Sequence, residues 1–457
     1  MTPDDARGSP DPGRHPFVER PNRTLLTLSV PVLLSLVAEP LTGLVDTAFV
    51  ARLGAAPLAG LGVGAALLSS ALWVFNFLGI GTQTEVAHAL GAGDRARARD
   101  TSGLALALAA LIGAGMAALF WPALPVLARA MGASGAVHDA ARVYLEIRLL
   151  GGPPMLGMLA AFGALRGMHD MRTPLRIAVA INALNVVLDA LLIFGFGPGP
   201  ALGIAGAAWA TVISQWVGGA WALAALRRRL GLPSRIVWRD ARALLVVGRD
   251  LFLRTGLLVA FVLLATRAAN RVGAEAGAAH QAIRQVWMLT ALALDAYAAT
   301  AQSLVGYFLG ARRRELARRA ALLANAWGIA TGAALCAGML LCEGAVARAL
   351  VPEDARQVFS LAWRLAALAQ PLNAVSFVTD GIHWGTRDYR YLRNAMLSAT
   401  ALGSAGLLAV DAAGSSSLAA VWLVTGGWIA VRAAFGWLRL QPGVGAAPLA
   451  PGTDPAS

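Results

Sequence analysis

The chain has 457 residues, 57% hydrophobic and 14% charged, with a mean hydropathy of +0.62. Soluble domains carry about 25% charged residues, so this composition excludes an ordinary soluble enzyme and indicates a polytopic membrane protein. The net charge of +13 rests wholly on arginine, and two cysteines in one apolar segment (Cys336, Cys342) are too few for a disulfide framework or a metal centre and read as small core thiols.

Apolar runs of the roughly 20 residues a crossing needs fall at 25–50, 57–88, 102–128, 138–165, 175–196, 202–226, 251–270, 277–309, 320–347, 357–383, 394–410 and 416–438. The fold class expected is all-α, with twelve transmembrane helices. The first 23 residues are rich in Pro, Asp and Arg and lack the apolar core of a cleaved signal, so helix 1 is expected to stay in the mature protein. The domains read as a cytoplasmic tail (1–23), a six-helix lobe (24–226), a cytoplasmic linker (227–250), a second six-helix lobe (251–440) and a disordered tail (441–457).

Helix 1 carries two carboxylates, Glu39 and Asp46, in line with Ser35 and Thr42. An Asp at mid-membrane costs roughly 2.5 to 3.5 kcal/mol, so such a stripe must face a bundle interior or a wet cavity. Pro31 and Pro40 each remove a backbone hydrogen bond and should bend the helix. On helix 4, Met155, Met158 and Phe162 suit an adaptable apolar pocket or a lobe core. Helix 5 bears a second polar stripe, Asn182, Asn185 and Asp189, and helix 6 offers Thr211 and Gln215 one turn apart. If Asp46 and Asp189 converge, desolvation and mutual repulsion would let them hold a proton near neutral pH and titrate as a pair. A buried structural pair is the competing reading. Asp295 on helix 8 is a candidate acid for the second lobe, while Asp380 and His383 on helix 10 read as a solvated ion pair near the cytoplasmic end.

Loops after the even-numbered helices, with the central connector, hold 21 Arg, and the opposite set holds six. The positive-inside rule therefore places both termini in the cytoplasm of a multi-pass protein of the inner (plasma) membrane. The charge is topological, with contact to anionic lipid, and nucleic acid is excluded as a partner.

The chain also repeats itself. At an offset of 219, Arg52 meets Arg271, Gly54 meets Gly273 and Gln83 meets Gln302; at 218, Pro153 meets Pro371, Gly167 meets Gly385 and Asp170 meets Asp388. Six helices map onto six with the same in–out sense, which makes a parallel repeat about an axis along the membrane normal. Asp46, Asn185 and Asp189 meet Ala265, Gly403 and Leu407. Needs of the fold should recur in both halves, so acids confined to one half suggest coupling. The paired Asp170 and Asp388 read as helix caps.

The segments PLTGLVDTAFVARLG (40–54), LGAGDRARA (90–98), LRGMHDMRTPLRIA (165–178), NVVLDALLIFGFG (185–197) and DAYAATAQSLVG (295–306) resemble the multidrug and toxic compound extrusion (MATE) family, and within it the DinF-like branch. The resemblance implies two pseudo-symmetric lobes around a central cleft, alternating access, and export of amphiphilic compounds by a monomer against a proton or sodium gradient, the substrates being drugs (cations first), bile-salt-like amphiphiles or organic acids. It implies a proton-linked role for Asp46, Asp189 and the neighbouring Asn185, and a bend at Pro31. No cofactor beyond the coupling ion is expected, and no Walker, HExxH or CxxC motif occurs. Sodium coupling and flipping of lipid-linked precursors are the alternatives; the acids of the first lobe argue against an anionic pyrophosphate head group.

Overall fold

With no water available inside a bilayer to pair backbone groups, a spanning chain without a closed barrel must be helical, and among the described residues the regular structure is helical throughout. The computed structural model describes residues 15–195, 201–233, 235–445 and 447–450, without the side chains of Glu39 and residues 69–74. Twelve helices match the expected spans in order. They are α1 (Pro21–Ala51), α2 (Ala55–Trp73 continued by Phe77–Gly91), α3 (Arg95–Phe120, extended by Leu124–Ala130), α4 (Gly135–Arg148 and Gly152–Gly167) and α5 (Arg172–Phe194). Then follow α6 (Ile204–Leu230), α7 (Trp238–Val272), α8 (Ala274–Gly310), α9 (Arg314–Leu341), α10 (Arg356–Leu368 and Gln370–Gly385), α11 (Tyr389–Ala412) and α12 (Leu418–Leu438). Nine spans among the described residues are long and apolar enough to cross a membrane on their own composition.

The chain divides into an N-terminal unit, Leu34–Leu90 with Asp94–Gly248, and a C-terminal unit, Arg249 onward with Gly91–Gly93 and the chain up to Leu33. Helix α1 belongs to both, passing from one to the other just after Pro31. Its first part is anchored in the C-terminal unit, where Ser29 Oγ donates to Thr300 Oγ1 at 3.0 Å and Trp327 Nε1 donates to Asn22 Oδ1 at 2.9 Å. No break in helix assignment accompanies Pro31 or Pro40.

The repeat is written into backbone contacts. A Cβ added at Gly167 would stand 2.7 Å from the Gln83 carbonyl oxygen, and one at Gly385 2.8 Å from that of Gln302. Only glycine lets those helices approach so closely. His169 (φ 61°) and Arg387 (φ 63°) are both left-handed, and the next residue closes each turn: Asp170 N–H donates to Leu165 O at 3.0 Å, Asp388 N–H to His383 O at 2.9 Å. Two non-glycine residues held in so sparse a region at equivalent positions mark a conserved turn geometry within one chain.

Three expectations change. Asp170 caps α5, accepting from Thr173 N–H at 3.1 Å, but Asp388 makes no cap hydrogen bond and instead pairs with Arg439 at 2.8 Å. Cys342 is exposed at the end of α9, not a core thiol; both cysteines are free. The tail after Leu440 is not wholly disordered, because Ala447 and Leu449 bury their apolar side chains.

Candidate functional site

In the N-terminal unit, Gly206 lets α6 lie close against α5 at Leu192 and Ile193, which brings Thr211 beside Asn185. The Asn185 amide serves either neighbour. In one orientation Nδ2 donates to Thr211 Oγ1 at 3.4 Å. In the other, which pairs both its ends, Nδ2 donates to Asp46 Oδ1 at 3.0 Å and its oxygen accepts from Thr211 N–H at 3.3 Å. Thr211 sends its own hydroxyl proton to Ala207 O at 3.0 Å.

Asp189, one helical turn beyond Asn185, is fully buried. Its carboxyl lies within hydrogen-bonding reach of that of Asp46, and neither of its oxygens receives a donor among the described residues. Two ionised carboxylates have no hydrogen to share, so this contact becomes a hydrogen bond only when one of them carries a proton. Asp46 is half-buried and keeps a solvent-facing edge. Arg148 on α4 lies within electrostatic reach of Asp46 and donates to Gln215 Oε1 at 3.0 Å, while Gln215 Nε2 reaches Met155 Sδ at 3.7 Å.

The structure thus joins Asp46, Asp189, Asn185 and Thr211 in one cluster and Gln215 in an adjoining one. Asn182 is half-buried and makes no side-chain hydrogen bond among the described residues. Thr42 is satisfied locally by Ala38 O at 3.1 Å. Glu39 falls outside the described side chains. Met158 and Phe162 belong to the hydrophobic core of the unit, with Ala161, Ile177 and Ala222, and line no cavity at the acids. A cavity of about 510 Å³ is an apolar niche lined by Trp209 and Trp216, with no carboxylate in its lining.

The equivalent place in the C-terminal unit is packed with aromatic rings. Phe261, at the repeat position of Thr42, stacks on Trp428 with centroids 4.5 Å apart, and a Cβ at Gly403 would stand 2.6 Å from the Phe261 ring. Acids in this unit lie elsewhere. Asp380 is not solvated: it is buried, and its Oδ2 takes Arg254 and Arg432, the latter at 3.0 Å. Arg432 lies over the Trp428 ring at 4.6 Å, and Asp295 is within its electrostatic reach. His383 is buried too, with Nε2 at 3.0 Å from Gly436 O. The expected solvated pair failed because the helix end was judged from sequence distance alone. Arg148, Arg254 and Arg432 were missed as site residues. Lone arginines inside apolar runs were the available signal, since an intramembrane charge needs a partner.

The family model MatE matches the chain twice, over residues 31–191 and 252–407. The chain belongs to the MatE family. Protein DETOXIFICATION 44 of Arabidopsis thaliana, a chloroplastic protein, is 32% identical over 94% of this chain and 84% of its own length. The DNA damage-inducible protein F of Escherichia coli is 33% identical over 65% of each chain. A probable multidrug resistance protein NorM of Deinococcus radiodurans is 31% identical over 66% and 67%. Among solved structures, MATE in the bent conformation superposes with a TM-score of 0.83 at 23% identity, covering 92% of this chain and 94% of that one. Like other MatE proteins, the chain is a membrane transporter and not an enzyme.

Proposed function

We propose that this MatE protein is a proton-driven antiporter that exports amphiphilic organic compounds, cations in particular, across the plasma membrane, working as a monomer with both termini in the cytoplasm. The observation that carries the reading is the facing pair Asp46 and Asp189, with Asn185 donating to Asp46, at positions that are Ala265 and Leu407 in the repeat. Like charges that close in a dry site cannot both ionise, so the pair keeps one proton between its carboxyls. Loss of that proton leaves a net acidic site that attracts a cationic solute, and return of the proton cancels the attraction. Proton and solute therefore exclude one another, which is the logic of exchange.

The energetics suffice. Exchange of one proton for one monovalent cation moves no net charge, so the pH gradient drives it, at about 1.4 kcal/mol and tenfold per pH unit; a neutral solute would also draw about 2.3 kcal/mol per 100 mV. Similarity to a probable multidrug resistance protein, NorM, supports export as the direction of transport.

Proteoliposomes loaded with a fluorescent organic cation test the reading. A pH gradient should drive flux in the wild type, and Asp46→Asn should reduce driven flux at least tenfold. Wild-type flux in Asp46→Asn overturns the coupling role; flux that follows a sodium gradient at matched pH reassigns the ion.

A further inference from the structure

Between Ala208 and Leu226 every exposed residue of α6 is apolar, Trp209, Ile213, Trp216, Val217, Trp221 and Leu223 among them. An exposed face of that composition on a spanning helix rests against hydrocarbon, not water. The cavity of about 510 Å³ is a recess in this face, between α6 and the stretches of α3 and α4 that carry Ala117, Leu149 and Pro153. All of it lies within the N-terminal unit.

Consecutive prolines make the recess. Residues 153 and 154 are both proline, so neither offers the N–H that the carbonyls of Leu149 and Leu150 would take in a continuous helix. There α4 breaks, between Arg148 and Gly152. Both freed carbonyls are nonetheless paired: Gly152 N–H donates to Leu149 O, and Trp216 Nε1 donates across to Leu150 O at 3.2 Å. An unpaired carbonyl facing lipid is costly, and the Trp216 indole removes that cost from the wall of the recess. The flanks are fixed by close approach. A Cβ at Gly113 would stand 2.6 Å from Pro153 Cα, and one at Gly219 3.1 Å from Pro154 Cβ. Since α4 already touches α3 and α6 there, the space between them is not slack that tighter packing could remove. Its volume is that of a ligand site, its walls are apolar, and its open side continues the lipid-facing surface of α6.

We infer that the N-terminal unit binds one phospholipid, with an acyl chain lying in the recess between α3, α4 and α6. That chain rests against the α4 joint. Arg148, the residue before the joint, donates to Gln215 at 3.0 Å and lies within electrostatic reach of Asp46, so the lipid backs the arginine that faces the acids. The inference stands apart from the coupling reading, because its test counts retained lipid and applies no ion gradient.

The purified protein, stripped of lipid in dodecyl maltoside, is given dioleoylphosphatidylcholine or dihexanoylphosphatidylcholine and followed by native mass spectrometry. The two lipids share a head group and differ in chain length. Wild type should retain one dioleoyl lipid per chain, with at least tenfold more occupancy than the dihexanoyl lipid at equal concentration. Ala117→Phe and Ile213→Trp fill the recess from α3 and from α6. Each should lower retention at least fivefold at a Tm within a few degrees of wild type. Leu119→Phe, exposed on α3 outside the recess, should leave retention unchanged. Equal retention of the two lipids, a spread of lipid counts with no preferred single one, or wild-type retention in either filled variant overturns the inference. Displacement of the lipid by an equimolar fluorescent organic cation assigns the recess to transported solute and also overturns it.

Discussion

Removing the Asp380 carboxylate should destabilise the C-terminal unit more than removing either arginine that contacts it. The side chains of Asp380, Arg254 and Arg432 are 9%, 11% and 3% exposed. Breaking a buried ion pair by deleting one partner costs about 3–5 kcal/mol, because the survivor is left as an uncompensated buried charge. In Asp380→Asn two guanidiniums lose their shared counter-charge at once, although Arg432 retains Asp295 within electrostatic reach. A cost of about 4 kcal/mol follows. At about 2–4 °C per kcal/mol for a unit of some 150–250 residues, the apparent Tm should fall by about 8–16 °C in a detergent size-exclusion thermostability assay. Arg432→Met leaves Asp380 paired with Arg254 and fills the space above Trp428 with a side chain of similar length, so its cost should be about 1–3 kcal/mol. A Tm for Asp380→Asn within about 2 °C of wild type, or a larger loss in Arg432→Met, would refute a carboxylate serving two buried cations.

Three further predictions use other parts of the fold. Gly385→Ala forces a methyl to 2.8 Å from Gln302 O and should cost about 1–3 kcal/mol through overpacking, whereas Gly157→Ala meets nothing within 4 Å and should gain about 0.5–1 kcal/mol; thermal unfolding of both variants checks the sign. His15, ahead of α1, packs on Tyr307 and Phe308, and its burial lowers its pKa to about 4. Its folded value lies below the ordinary 6.5, so its neutral form stabilises docking above pH 6.5, and that contribution, on the order of 3 kcal/mol, fades as pH falls towards 4. Hydrogen exchange in residues 16–20 should rise between pH 7.5 and 5, after correction for intrinsic rates, and His15→Phe should abolish the rise. Asn185→Ala should lower pH-driven flux while keeping Tm within a few degrees, since it removes the bridge between Asp46 and Thr211 but neither acid; unimpaired flux would show that the bridge plays no part.

The number and order of the helices were legible because hydropathy runs of bilayer length and arginine-marked loops are one-dimensional signals. The asymmetry of the acids was legible too, since a repeat lets one half serve as a control for the other. What the sequence hid is which faces meet. Asp46 and Asp189 are 143 residues apart, and no periodicity says that α1 and α5 turn their polar stripes towards each other. Met158 and Phe162 looked like pocket residues because apolar side chains read alike whether they line a cavity or fill a core. Asp380 was misjudged for the opposite reason: a charge close to a loop in sequence was taken to be close to water, whereas its partners come from α7 and α12.

The comparison of the halves separates what folding needs from what it tolerates. The contacts that recur under the shift involve backbone: the close approaches at Gly167 and Gly385, and the left-handed turns at His169 and Arg387. Substitution at such positions is met by immovable main chain, so they resist divergence after duplication. Side chains facing the interior of each lobe are under no such constraint, and there the halves have exchanged character. At matched positions the N-terminal unit is polar at Asp46, Asn185 and Asp189 and apolar at Met155, Met158 and Phe162; the C-terminal unit is apolar at Ala265, Gly403 and Leu407 and polar at Asn373, Ser376 and Asp380. Interior polarity inside a membrane protein carries a standing cost. If it served packing alone, both copies would have settled on the same apolar solution, which each half shows to be sufficient for the other. That each kept a different polar stripe argues for a separate role in each half.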